Sequence, residues 1–160
     1  MMSKLEAKQA FVAAAAAVIV GGGIAAAAPG PDGHTAAARR IRLIEVQRSS
    51  AQLDLGEKGF SAGDRQTIAS DVLTPAGKKI GRLDDDCAIT QTGKAPQAVC
   101  TFVITLPRGE LTGGFAQNLA GSDAGKRQAI TGGSGAYAGA RGQIVAGAEG
   151  KQTPFTVVLR

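Results

Sequence analysis

Two cysteines, one histidine and one tyrosine are the scarcest side chains able to do chemistry in this 160-residue chain. Cys87 and Cys100 make an even count, which in an oxidising compartment predicts one disulfide. A two-residue turn at Gly93-Lys94 would set them opposite each other on neighbouring strands, close enough to bridge at a non-hydrogen-bonded position. Pro96 leaves a longer loop, and with it another register, open. His34 has no second histidine or free thiol to join it, so neither a zinc site nor a Ser-His-Asp triad fits. Asp84-Asp85-Asp86 lacks the alternating ligand spacing of a calcium loop and reads as a solvated turn. Gly132–Gly139 is as glycine-rich as a phosphate loop, yet no Gly-Lys-Ser/Thr follows and no helix opens there. No metal site is expected, and the remaining polar candidates depend on the elements that hold them.

Those elements begin after an N-terminal segment of a different kind. Lys4 and Lys8 form a basic start, Phe11–Ala28 is uncharged and rich in alanine, valine and glycine, and Ala25–Ala28 precede Pro29-Gly30-Pro31. Residues 1–28 therefore read as a secretory signal peptide, with an uncleaved membrane anchor as the alternative. The expected location is secreted, extracellular or periplasmic, with no membrane attachment after cleavage. Residues 29–39 read as a flexible joint and 40–160 as a single domain of adequate size for one core. The net charge of +5 is spread without a long basic run, and aromatics number only five phenylalanines and Tyr137. That pattern argues against nucleic acid as a partner.

Within the domain, Ile41, Leu43, Glu45 and Gln47 alternate with Arg42, Ile44, Val46 and Arg48, the period of a strand. Ser49–Gly63 reads as a polar loop. Further strands are expected at Asp64–Leu73, Lys78–Leu83, Cys87–Gln91, Val99–Leu106, Glu110–Asn118, Lys126–Thr131, Ala140–Ala146 and Thr153–Leu159. Short strands with no helix mean an all-β antiparallel barrel or sandwich. Glycine-rich kinks favour the barrel, which also removes exposed edges and can hold one small ligand.

The segment Ala129–Gln143, AITGGSGAYAGARGQ, is similar to the glycine motif of the allene oxide cyclase barrel family, which is allied to the plant dirigent proteins. Gly63-Asp64, Lys78-Lys79-Ile80-Gly81 and Cys87 resemble a second family block. Ile41–Gln47 and Phe155–Leu159 resemble its first and last strands, so the likeness covers residues 40–160. The resemblance implies an eight-stranded antiparallel β-barrel with an apolar cavity, often a homotrimer, working without metal or organic cofactor. Its members restrict the conformations of a reactive guest so that it cyclises or couples in one way.

Carried over residue by residue, the family's catalytic glutamate falls on Glu45, and two asparagines that orient the guest fall on Gln47 and Ser70. The cavity cysteine falls on Cys87, which as half of a disulfide would be a staple instead. The dirigent side of the resemblance points to Tyr137 and Arg141 as ligand-binding residues, aided by an acid such as Asp71 or Asp84. The expected partner is a small apolar molecule. Other readings stay open: a carrier without chemistry, or a structural barrel filled by Ile68, Val72, Val103 and Leu111. Tyr137 at the barrel rim, Arg141 on the surface and a solvated Glu45 at a strand end belong to those readings.

Overall fold

The computed structural model describes residues 38–121, 124–148 and 150–160. The signal segment, all but the last two residues of the joint, and His34 lie outside the described residues. Eight strands follow one another: β1 Arg39–Leu53, β2 Arg65–Leu73, β3 Lys79–Gln91, β4 Gln97–Leu106, β5 Gly109–Asn118, β6 Arg127–Gly133, β7 Gly142–Ala146 and β8 Thr153–Leu159. Each pairs antiparallel with the next, and β8 closes on β1, giving an eight-stranded barrel. Among the described residues no helix is long and apolar enough to cross a membrane.

Two expectations about strand limits need correction. Lys78–Leu83 and Cys87–Gln91 are one strand, β3, because Asp84-Asp85-Asp86 continues the ladder with Ala69, Ile68 and Thr67 on one side and Val103, Phe102 and Thr101 on the other. β1 likewise runs on to Leu53 past a bulge between Gln47 and Ser49, so the polar loop starts later than its composition suggested. In both places a run of polar residues within a long barrel strand resembles a loop, on the outer face at Ser49–Leu53 and on both faces at Asp84-Asp85-Asp86. The β3–β4 connection spans residues 92–96 instead of two residues, but a shift between Ile89 and Gln91 absorbs the difference. Cys87 therefore stands opposite Cys100, and the two are bonded, with Cα atoms 4.0 Å apart.

Alternation along β4 shows how the barrel is filled. Ala98, Cys100, Phe102, Ile104 and Leu106 are buried, while Val99, Thr101, Val103 and Thr105 face out. Val103, expected as core filling, is 37% exposed for this reason. One end of the barrel is packed solid by Leu43, Val72, Ile104, Leu111, Val157 and Leu159 with Tyr137. Tyr137 arrives on a single 3-10 turn, Gly135–Tyr137, between β6 and β7. That turn docks on the β4–β5 hairpin, the Ala136 N–H donating to the Arg108 carbonyl at 2.8 Å. Gly135 has φ +57°, and a Cβ there would run into the same carbonyl, so a side chain is refused on both grounds. At the other end a smaller cluster, Cys87, Ile89, Ala98 and Cys100 with Phe115 and Leu119, lines the wall without filling the middle.

Candidate functional site

Between the two clusters the inward positions turn polar. Glu45 and Gln47 alternate inward with Leu43 along β1, and Ser70 enters from β2, where it pairs with Gln47. Ser70 is 1% exposed and donates its hydroxyl to Glu45 Oε1 at 2.7 Å. Glu45 is thus mid-strand, half-buried and hydrogen-bonded, not a solvated residue at a strand end. From β3, Asp85 points inward between its register partners Ile68 and Phe102. Burial above all, then the negative charges of Glu45 and Asp84, pushes its carboxyl up to about 7.

Glu45, Gln47 and Asp85 line one cavity of about 430 Å³ with Gln117, Gln128 and Thr153. Its apolar walls are Ile68, Leu83, Phe115, Ile144 and Phe155, and the disulfide-bonded Cys87 forms part of them. The volume suits one small molecule. A flanking carboxylate held by a hydroxyl in such surroundings polarises a guest far more than it would in water.

Three of the residues singled out by resemblance, Glu45, Gln47 and Ser70, therefore meet in one place. Tyr137 lies elsewhere, in the closed end, with the Arg39 guanidinium 5.8 Å from its ring centroid. Arg141 is exposed and donates to the Ala140 carbonyl at 2.9 Å. Asp71 and Asp84 do not join them. Asp71 pairs on the outer face with Lys79 at 2.5 Å and Arg48 at 2.7 Å, and these cations hold its carboxyl below the usual range. Asp84 pairs with Arg82 at 2.6 Å.

Asp85 was hidden in the sequence by its neighbours. Leu83, Asp85 and Cys87 share a face once the aspartates are read at period two, whereas three consecutive acids imitate a turn. Gln117 and Gln128 were hidden differently, as ordinary polar residues in strands whose inward face could not be assigned. A larger concavity of about 740 Å³ is bordered by Thr67, Ala69, Thr101 and Thr112, and shares Ile68 and Asp85 with the inward cavity. Of its charged groups, Arg82 pairs with Asp84 and Asp86 with Arg65, while Asp85 borders both cavities. The inward cavity is where Glu45, Gln47 and Asp85 gather. Among the described residues no cluster of metal-ligating side chains occurs.

Similar structures share this architecture. A pyocyanin demethylase superposes with a TM-score of 0.67 at 23% identity, over 76% of this chain and 100% of its own. A nonspecific heme-binding cyclase that catalyses a cycloaddition in neoabyssomicin biosynthesis gives 0.60 at 20% identity, over 77% of this chain and 66% of its own. The Diels-Alderase AbmU from Streptomyces koyangensis gives 0.59 at 18%, over 77% and 63%. At these identities the likeness is one of fold. No curated protein matches the chain. The allene oxide cyclase barrel like domain matches residues 44–158. Since that match runs from the first strand into the last, the chain belongs to the allene oxide cyclase barrel-like family.

Proposed function

We propose that the barrel admits one small, largely apolar molecule and steers its cyclisation or coupling, with Glu45 as the polar trigger and Gln47 and Ser70 as orienters. The observation that carries this reading is the Ser70–Glu45 hydrogen bond of 2.7 Å beside an apolar-walled cavity of about 430 Å³. Rigid walls lower the entropy of ring closure, and an oriented carboxylate favours positive charge developing on the guest. Two of the similar folds are described as ring-forming enzymes, which supports a ring-forming role here. The filled-barrel alternative loses ground, because Val72 and Leu111 pack only the closed half. The proposed working form is exported, consistent with the Cys87–Cys100 disulfide, and is a homotrimer by analogy with the family.

Native mass spectrometry after exposure to small-molecule extracts of the host's culture tests the reading. A retained apolar compound, released on denaturation and converted by the protein, is the expected result. Glu45→Gln should then abolish turnover while thermal stability stays nearly unchanged. Retention without conversion, equal in both proteins, would make the barrel a carrier. No retained compound across extracts would remove the reading altogether.

A further inference from the structure

Two acids face the same cavity, and only Glu45 has a role in the reading above. We propose that the cavity selects a delocalised organic cation on an apolar skeleton, held between Glu45 and Asp85, which line it together. This rests on the reading that the cavity admits a guest, and adds the guest's charge. Two carboxyls around one confined space cannot both ionise without mutual repulsion. Asp85 accordingly stays protonated up to about 7, chiefly through burial and then through the Glu45 charge. A positive guest supplies between the two acids what the proton supplies, and lets Asp85 release it.

The rest of the lining agrees. Gln47, Gln117, Gln128 and Thr153 are neutral, and among the described residues that line the cavity none is basic. Phe115 and Phe155 offer ring faces that attract a delocalised cation. A carboxylate-bearing guest would instead bring a further negative charge beside Glu45.

The surrounding charges have other engagements. On β3 itself Asp84 and Asp86 alternate outward, where Arg82 and Arg65 pair with them. From β1 the charged group facing Asp85 is Glu45. β2 sets Ile68 beside Asp85 and carries Asp71 outward to Arg48 and Lys79, while β4 sets Phe102 on the other side. Lys126, whose carbonyl accepts from the Ala146 N–H just ahead of β6, belongs to the rim and not to the lining.

Equilibrium dialysis with N-methylquinolinium, 1-methylnaphthalene and 1-naphthoate tests the inference, since one bicyclic skeleton then carries positive, zero and negative charge. At about pH 8 the cation should bind about tenfold tighter than its neutral isostere, with the carboxylate weakest. Because Asp85 must give up its proton, cation affinity should rise about tenfold from about pH 6 to about pH 8, while the neutral compound shows no trend. Asp85→Asn should flatten that dependence and lower cation affinity at the higher pH. Unchanged binding of 1-methylnaphthalene by the variant would show that its cavity is intact. Neutral binding without preference for the cation, or cation binding indifferent to pH in the unaltered protein, would overturn the inference and leave the proposed function standing. Failure of all three compounds to bind would remove both.

Discussion

Asp85 and Glu45 sit on opposite sides of what sequence can reveal about single residues. Glu45 and Ser70 were reachable because a neighbouring motif fixed their alignment to a known barrel. Asp85 was not, since its meaning depends on which side of β3 faces inward. That inward placement has a consequence for stability. Well below pH 3.8 the side chain is protonated whether the chain is folded or not, so it costs nothing. Above the ordinary value of 3.8 the unfolded chain loses the proton, while the folded barrel keeps it up to about 7. Stability therefore falls across that window, by about 4 kcal/mol if the group titrates alone. Asp85→Asn removes the penalty. Its urea midpoint should exceed that of the unaltered protein above pH 7, and the gap should close toward pH 4. A gap of the same size at both ends would mean that Asp85 does not keep its proton inside the barrel.

At the scale of elements, strand order and the β3–β4 register were legible because turn residues and period-two runs mark them. Strand limits were less so: Ser49–Leu53 are polar because they face water, and Asp84-Asp85-Asp86 because two face water and one faces the cavity, not because they leave the ladder. The loop that follows β1 is ordered around Asp64. Asp64, 1% exposed, accepts from the N–H groups of Leu55 at 3.0 Å and Ser61 at 2.8 Å, and from the Ser61 hydroxyl at 3.2 Å. Its own carbonyl accepts from the Ile89 N–H at 2.8 Å, anchoring the loop to β3. Backbone donors, Ser61 first and Leu55 next, hold its carboxyl below the ordinary value. The sign is opposite to that of Asp85: this contribution is present above the ordinary pKa and is lost as pH falls through the depressed one. Asp64→Ala should free the loop while leaving the barrel folded. Trypsin would then cut after Lys58, an exposed loop residue, at least about tenfold faster than in the unaltered protein. Equal cutting rates would mean that strand ends alone order the loop.

The described domain is an unequal barrel. Its closed half holds nearly all the large apolar side chains, from Leu43 to Leu159, and is sealed by Tyr137. Its open half surrounds a cavity walled by the cluster about the disulfide and by Leu83, Ile144 and Phe155 from the edge of the larger cluster. This division follows from the conflict between filling a core and keeping room for a guest, and it explains why a bridge is placed at Cys87–Cys100. Closing a loop with a sequence separation of 13 contributes about 3 kcal/mol in the chain-entropy model, with no further side-chain volume in the cavity. Replacing Cys87 and Cys100 together by alanine should lower unfolding stability by about that amount. The loss should also be uneven. Amide exchange should quicken most at Ile89 and Ala98, which flank the bridge, and least at Ile104 and Val157, which belong to the closed half. Uniform acceleration along all eight strands would show one cooperative barrel in which the bridge supports no half in particular. An uneven response would tie the bridge to function, because the half it holds is the half that encloses Glu45 and Asp85.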